Sequence, residues 1–592
     1  VKISRRTFLS TSVAAAGGAL VVGFSLRRHI HAQGGAPVVE NPFDAWIHVK
    51  PDSSAELVVA QSEMGQGVYT SLPMLLAEEA DLDWERVTIV QSDFSRGTGG
   101  SGSVTSNYLP LRRAGAQVRM LMIAAAAHKW SVPEGECTTA KGEVLHAGTG
   151  RKFAYGQLVS EACCMPLPDA KTVKLKDPAQ FTLIGRETPH RDIPDKCTGV
   201  ARFGLDVRLP DMVYAVIARC PTFGGSPAKF DASRALAVPG VLQVFEIPAK
   251  GFRVYTAGGV VVVAKSTWAA MQGRKALDIT WNHGPNQSES SDSLRAQMKQ
   301  ALGNPPAWTS DAQGVDPDSV PAAKRIDVTY EFPFLAHACM EPMNITLHQH
   351  DGKCEVWCPS QSAETIRSII AKELEQPETS VTVHTTFMGG GFGRRYQYDF
   401  PTEVAQIARH VSTPVQLVWT REDDMTHDFY RPAGMRRMRG AVDAKGNVVE
   451  WSDHLADVPL SLMWDDPAKR KPDGSELPAR IDYPVPHFRT AFTPITSAVP
   501  RAWWRSVSHS FNGVAVECFI DELAHAAGQD PYLFRKRLLQ LPPMNQPKPA
   551  GEEGPAPDPN RLITVLDLAA KKAGWGKPLG PHRGRGIACT TN

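Results

Sequence analysis

The run Met388-Gly389-Gly390-Gly391-Phe392-Gly393-Arg394-Arg395 is the first place in the sequence where residue type and spacing suggest chemistry. It sits between a strand-like stretch, 381–386, and a helical one, 400–409. Glycines in that position let backbone N–H groups come close to an anion. No Gly-Lys-Ser/Thr ending follows, which argues against a nucleotide P-loop. The contiguous glycines, followed by Arg394-Arg395, do not fit a dinucleotide fingerprint either. Tight packing alone also accounts for such a loop. A second glycine-rich turn, Glu63-Met64-Gly65-Gln66-Gly67, stands near the other end of the chain. Cys354 and Cys358 could clip a metal, but they flank an alternating run, Cys-Glu-Val-Trp-Cys, and no second pair answers them. Two buried strand cysteines are the expectation. The ten cysteines show none of the clustered spacing that holds an iron–sulfur centre.

The elements that must position these loops follow from periodicity. Residues 45–60 read as extended strand, 70–80 as a helix with Leu72, Leu75 and Leu76 on one side, and 87–91 as a strand. A Gly/Ser-rich flexible loop, 97–103, precedes a long apolar helix over 114–130. The texture changes near Thr198. Strands are expected at 213–219 and 259–264, with a Pro239-Gly240 turn between them and a helix at 268–276. Residues 282–320 are polar and read as a linker with one amphipathic helix near 293–302. A third region from about Arg325 carries a helix at 362–374, the first glycine-rich loop, a strand at 415–419 and a periodic helix at 511–527. Asp530-Pro531 then caps another helix.

The length, 592 residues, implies several domains, and 42% apolar with 21% charged residues is ordinary for a folded protein. A net charge of +2 gives no reason to expect a nucleic-acid partner. Gly (48) and Pro (46) are dispersed, which suits a turn-rich mixed α/β chain. Ser4-Arg5-Arg6-Thr7-Phe8-Leu9 followed by an apolar stretch, 13–26, resembles a twin-arginine export signal, the route for proteins that fold around a cofactor before crossing the membrane. The expectation is a periplasmic protein. A basic N-terminal helix or an ordinary secretory signal is the plainer alternative, and an uncleaved anchor at the inner membrane stays open.

Taken together the motifs resemble the molybdopterin-binding large subunits of molybdenum hydroxylases, the xanthine dehydrogenase/aldehyde oxidase superfamily. Glu63 to Gly67 resembles the family's Glu-Met-Gly-Gln-Gly loop, and Met388 to Gly393 its Gly-Gly-Gly-Phe-Gly loop. Ser360-Gln361-Ser362 matches the cofactor-side glutamine, thirty-one positions before Phe392. His337-Ala338-Cys339-Met340-Glu341-Pro342 is similar to the Glu-Pro segment. Arg505, twelve residues before Glu517, resembles the arginine-loop-helix unit, and residues 201–207 with Pro210 and Pro239-Gly240-Val241 the small hammerhead domain. The Glu-Met-Gly-Gln-Gly loop precedes the hammerhead here, a rearranged order similar to isoquinoline 1-oxidoreductase beta subunits and related periplasmic aldehyde dehydrogenases.

The resemblance implies an α+β, multidomain molybdopterin-binding large-subunit fold with an inserted α/β-hammerhead domain. Its divisions would be a signal or anchor at 1–35, part of the second molybdopterin-binding domain at 36–190, the hammerhead at 195–285, a linker at 286–320, and the first molybdopterin-binding domain with the start of the remaining cofactor-binding region at 321–592. It implies a molybdenum–molybdopterin dinucleotide, in its cytosine form, with the metal held by the pterin dithiolene and no protein ligand. Gly65, Gln66 and Gly67 would bind the pterin or its phosphate through amides, and Gln361 would hydrogen-bond an apical ligand. Gly391, Phe392 and Gly393 belong to the loop expected to pass the metal face, and Arg505 would orient substrate or contact the cofactor. The bland readings are that Phe392 packs, Gln361 neighbours a helix cap and Arg505 forms an internal ion pair. The family's general base, a glutamate in a Gly-x-Gly-Glu loop, is expected beyond Asn592, so no catalytic residue is assigned. Implied partners are a small subunit with a 2Fe–2S centre, a c-type cytochrome acceptor and a small-molecule substrate. Hydroxylation of N-heteroaromatic carbons leads, with aldehyde oxidation as the rival. An inactive cofactor-binding fragment or scaffold is the reading from another class.

Overall fold

Alternating apolar and polar residues make half-buried strands, and helices with one apolar face cover them. The computed structural model of the chain describes residues 11–16, 19–24, 45–93, 97–251, 255–315, 319–460, 483–507, 509–542 and 559–590. The twin-arginine motif lies outside the described residues.

The N-terminal region builds a five-stranded sheet from β1 (Thr11–Ala16), β2 (Ala19–Phe24), β3 (Ala45–Val49), β4 (Ala55–Val59) and β5 (Val87–Gln91), in that order. Most of the apolar stretch after the motif therefore pairs as an antiparallel hairpin, with Leu20 opposite Val49. The single extended run expected at 45–60 is two strands. Pro51 lacks a donor and Asp52 accepts from the Ser54 amide at 2.8 Å, so the chain turns there. Helices α1 (Val68–Ala80) and α2 (Ser103–Trp130) pack on this sheet, and Leu72, Leu76, Leu111, Val118 and Leu121 are buried in their shared core. Helix α2 begins eleven residues earlier than the pattern predicted and carries Pro110 inside it. Its packing outweighs a proline penalty of about 3 kcal/mol. Strands β6 (Cys137–Ala140), β7 (Glu143–His146) and β8 (Arg151–Ala154) and helix α3 (Tyr155–Ala162) complete the region.

The middle region contributes β9 (Val213–Ala218), β10 (Ser226–Asp231), β11 (Val241–Ile247), β12 (Gly259–Ala264), α4 (Thr267–Ala276) and β13 (Asp278–Asn282). Strands β9, β11 and β12 fall in the segment assigned to the hammerhead, 195–285. They extend a seven-stranded sheet, β11-β12-β9-β19-β16-β17-β18, in which β16 is Asn344–His350, β17 Lys353–Cys358, β18 Val381–Thr385 and β19 Val415–Val418, by parallel pairing of β9 with β19. The expected linker is also structural. Within it, α5 (Ser291–Gly303) buries Leu294, Met298 and Leu302, and β14 (Trp308–Gln313) joins the edge of the C-terminal sheet. Apolar residues four apart were enough to bury one face of that helix despite its polar surroundings.

The remaining chain supplies β15 (Lys324–Phe332), β16 (Asn344–His350), β17 (Lys353–Cys358), α6 (Ala363–Leu374), β18 (Val381–Thr385), α7 (Asp399–Ala408), β19 (Val415–Val418) and α8 (Arg421–Thr426). Next come β20 (Gly434–Val442), β21 (Val448–Asp457), β22 (Phe488–Pro494), α9 (His509–Ala526), α10 (Pro531–Leu539) and α11 (Pro559–Ala573). The second large sheet runs β14-β22-β21-β20-β15, and Phe519, Ile520 and Leu523 of α9 lie in its core. Cys354 and Cys358 are fully buried and unpaired on β17, as the alternation required. Strands β17 and β18 are parallel, with Cys358 opposite Thr385, so their C-terminal ends emerge at one edge. Gln361 follows the first end and the Gly389–Gly393 loop the second.

Candidate cofactor site

Gln361 is the hub where that edge meets the N-terminal region. Its side-chain Oε1 accepts from the Gly393 amide at 3.0 Å, and its Nε2 donates to the Thr98 carbonyl at 2.8 Å. The Thr98 amide donates to the Gln361 carbonyl at 2.7 Å, and the Thr98 hydroxyl accepts from the Ser62 amide at 2.9 Å. One buried glutamine thus joins the turn before α1, the Gly/Ser loop before α2 and the glycine-rich loop after β18. Gly391 is one place where they pack against each other without room for a side chain. A Cβ there would lie 2.6 Å from Met64 Sδ and 2.8 Å from Gln361 Oε1. Gly393 has φ of 106°, and a Cβ on it would lie 1.8 Å from the Trp503 carbonyl oxygen.

The glycine-rich loop is held from beneath by an ionic clamp. Arg395, fully buried, donates to the carbonyls of Gly390 and Glu341, both at 2.7 Å. The Glu341 carboxylate accepts from the Gly389 amide at 2.9 Å, the Leu205 amide at 3.1 Å and Asn344 Nδ2 at 2.9 Å. Arg394 pairs with Asp399 at 2.6 Å and faces Asp428 at 2.7 Å. Both arginines that follow the loop therefore shape it from inside. A buried charge is tolerated only when paired in this way. Cys339 approaches the Gly391 carbonyl at 3.5 Å, and burial pushes its thiol up to about 11.

The turn before α1 is organised by Glu63, which is buried. Its carboxylate accepts from the amides of Gly65 at 2.7 Å, Gly67 at 3.2 Å and Tyr69 at 2.8 Å. The carboxylate sits where the helix N-terminus is most positive. The Gly65 and Gly67 amides assigned to the ligand are thus taken by Glu63. The Gln66 side chain folds back on its own turn, accepting from the Met64 amide at 2.7 Å and donating to the Ser62 carbonyl at 2.9 Å. Gly65 and Gln66 form the exposed tip of the turn.

Arg505 places its guanidinium 6.0 Å from the centre of the Phe392 ring, so the two belong to one site. Glu517, twelve residues on, does something else. It is buried against Arg535 at 2.8 Å and the Tyr483 hydroxyl at 2.9 Å, and burial raises its pKa above the usual range. The segment carrying Arg505 is anchored by His337, whose Nε2 lies 3.1 Å from the Trp503 carbonyl and whose Nδ1 lies 3.0 Å from Asp428. Burial pushes the Asp428 carboxyl up, but His337 and Arg394 outweigh it and hold it below the usual range. Phe392, Ser506 and Val507 have φ of 54°, 63° and 49°, left-handed values unusual for residues with a Cβ. Such conformations cost about 1–3 kcal/mol each, and they concentrate where function holds them. Sequence reasoning missed Thr98, Asp428 and this strained backbone. The Gly/Ser composition around Thr98 read as flexibility, and nothing local marked Asp428.

The arrangement fits a group whose metal is already held by a pterin. Gln361 Nε2 carries two hydrogens and gives one to Thr98, which leaves a donor for a ligand beside Gly393. Among the described residues, the buried Thr386 hydroxyl oxygen and Gln397 Nε2, which flank the glycine-rich loop, have no hydrogen-bond partner. Buried polar atoms without partners are uncommon, and a bound polar group would satisfy them.

This fold and these converging loops define a molybdopterin-binding protein, and comparison of the sequence with known families agrees. The pattern of the molybdopterin cofactor-binding domain matches residues 312–539, and a second pattern of that description matches residues 11–201. The chain belongs to the molybdopterin-binding subunits of the molybdenum hydroxylases, the xanthine dehydrogenase family of molybdenum-dependent oxidoreductases. It is 30% identical, over 97% of its length and 77% of the relative's, to a membrane-bound aldehyde dehydrogenase (pyrroloquinoline-quinone) of Gluconacetobacter polyoxogenes. It is 28% identical to the isoquinoline 1-oxidoreductase beta subunit of Brevundimonas diminuta, over 84% of this chain and 70% of that one. Among solved structures, the aldehyde oxidoreductase of Desulfovibrio gigas superposes with a TM-score of 0.52 at 16% identity, covering 87% of this chain and 64% of that one. Quinoline 2-oxidoreductase of Pseudomonas putida 86 gives 0.50 at 16% identity, covering 65% and 53%. The chain thus spans between half and two thirds of those solved chains, and the likeness is one of fold.

Proposed function

We propose that this chain is the molybdopterin-binding catalytic subunit of an enzyme that hydroxylates N-heteroaromatic carbons, with water as the oxygen source. The observation that carries the reading is the meeting of Gln361, the Gly391–Gly393 loop, Met64 and Arg505 at one edge of the seven-stranded sheet. The cofactor supplies, when bound, an acceptor for two electrons and a centre that delivers oxygen derived from water. Overall, a ring C–H and water become a ring C–OH, two protons and two electrons. The electrons leave to a partner, for which a small 2Fe–2S subunit and then a c-type cytochrome are the proposal.

The chain's own residues bind and orient. Gln361 offers its second Nε2 hydrogen at the cofactor face, while its bonds to Gly393 and Thr98 fix the direction of that hydrogen. Phe392 presents an aromatic ring, and Arg505 beside it offers a positive charge to a polar or anionic substituent. Exposed Trp503 and Met340 add apolar surface on the neighbouring segments, suited to a flat ring. Aldehyde oxidation is the second reading, favoured by the 30% identity to an aldehyde dehydrogenase. The cytosine dinucleotide form, periplasmic location by twin-arginine export and membrane anchoring belong to the same proposal. Among the described residues no helix is long and apolar enough to cross a membrane.

The test is turnover by molybdenum-replete holoenzyme with its partner subunit, using quinoline-type rings and aromatic aldehydes in oxygen-18 water. Ring hydroxylation with labelled oxygen is the expected result. Aldehyde turnover alone would replace the first reading with the second. Turnover of neither class by molybdenum-replete protein would overturn both.

A further inference from the structure

At the other end of β16 and β17 from Gln361 lies a side-chain cluster that the cofactor site does not use. His348 and His350 are two apart on β16, so the strand's alternation puts them on one face. Antiparallel register sets Glu355 of β17 directly opposite His348. One donor atom from each of His348, His350 and Glu355 lies within 4.8 Å of the other two. His350 Nε2 and a Glu355 carboxylate oxygen are already 3.0 Å apart, and the two imidazole rings lie 4.6 Å centre to centre. On β18, His384 reaches the other Glu355 oxygen at 3.3 Å, and its second nitrogen lies 3.3 Å from Asp93 beyond β5. The neighbours Cys354, Val356 and Cys358 point the opposite way into the core, so the cluster occupies the sheet's polar face.

We propose that this face binds a divalent transition-metal ion through His348, His350 and Glu355, with water completing its coordination. Two imidazoles and one carboxylate are a donor set suited to zinc, nickel or copper rather than to calcium or magnesium, which take oxygen ligands. A tetrahedral zinc with bonds of about 2.0–2.1 Å holds its donors roughly 3.3 Å apart. The pair His350–Glu355 already meets that spacing at 3.0 Å, and the 4.8 Å limit on the group means that any further contraction is a matter of side-chain adjustment. The side chains of His350 and Glu355 are about a third exposed, at 33% and 34%, so an ion and its water can enter. His384 lies on the other side of Glu355 as an orienting partner, a common companion of a ligating carboxylate. The ion would tie β16 to β17, the strand that leads to Gln361. The inference does not depend on the molybdenum reading.

The experiment is calorimetric titration of ZnCl2 into the full chain after dialysis against a chelator, with elemental analysis for zinc. About one zinc per chain is expected, with binding weakened at least tenfold in His348→Gln and in Glu355→Gln, the low end of what even supporting contacts contribute. MgCl2 should give no comparable heat. No zinc binding, or binding unchanged in both variants, would overturn the proposal and leave the cluster as a plain hydrogen-bond chain. Should either variant fail to fold, zinc-edge X-ray absorption on the unmutated chain decides. Nitrogen ligation with two imidazoles supports the site, and an all-oxygen shell overturns it.

Discussion

Replacing Gln361 by alanine removes the bonds that join three loops. The Thr98 carbonyl and the Gly393 amide, held at 2.8 and 3.0 Å, would lose their side-chain partner. Leaving a buried polar group unsatisfied costs about 1–3 kcal/mol, so the two together amount to roughly 2–6 kcal/mol at the junction. At about 1.36 kcal/mol per tenfold, the lower figure is a roughly thirtyfold rise in local opening. Several domains share this chain, so a single global unfolding midpoint is a poor readout. Hydrogen exchange read on the peptides containing Thr98 and Gly393 is the direct assay. Both should lose protection by at least about thirtyfold, while peptides of α9 stay unchanged. Gln361→Glu should separate the two bonds, because a carboxylate still accepts from Gly393 but repels the Thr98 carbonyl. Unchanged protection at both peptides in the alanine variant would refute Gln361 as the hub.

Acid should destabilise the region around α8. Burial and nearby Arg219 lower the His427 pKa from 6.5 to about 4, so the unfolded chain binds the extra proton between those values. Stability then rises with pH across that window and is lost on acidification from about 6.5 towards about 4, by up to roughly 3 kcal/mol. His427→Gln should flatten this part of a denaturation profile, and an unaltered profile would remove His427 as the cause. Cys339 should resist iodoacetamide at neutral pH in the folded chain, while exposed Cys164 and Cys197 react. Mass spectrometry showing Cys339 alkylated as fast as those two would contradict its burial. Arg505→Ala should lower kcat/KM at least about tenfold while changing stability by no more than about 1 kcal/mol, the scale of an exposed cation–π contact. A loss of thermal stability without a kinetic defect would make Arg505 a packing residue.

Much of the site could be read from the sequence because glycine, glutamine and arginine at fixed spacing keep their meaning without the fold. The glycine-rich loop, Gln361, Phe392 and Arg505 do come together. The roles within the Glu63 turn were less legible, because the acceptor for the Gly65 and Gly67 amides is two to four residues away, inside the same motif. Long-range partners gave no local signal. Asp428 meets His337 only after β20 and the segment before β16 are folded, and Thr98 gains its role from a glutamine 263 residues later. In the fold, periodicity located α1, α6 and α9 to within two residues or so. It placed α5 within the polar segment but merged β3 with β4 and passed over β14, because strand pairing is not visible in a short polar window.

The central claim is that the loops meeting at Gln361 hold a molybdenum cofactor. Its most direct test is elemental and pterin analysis of active protein matured in a host that makes the cofactor, beside a Gly391→Val variant. That substitution puts a branched side chain where even a Cβ would lie 2.6 Å from Met64 Sδ. About one molybdenum and one pterin dinucleotide per chain are expected in the unmutated protein, with both lost from the variant while hydrogen exchange in α9 stays native. Active protein without molybdenum, or a folded variant that retains its full complement, would contradict the account.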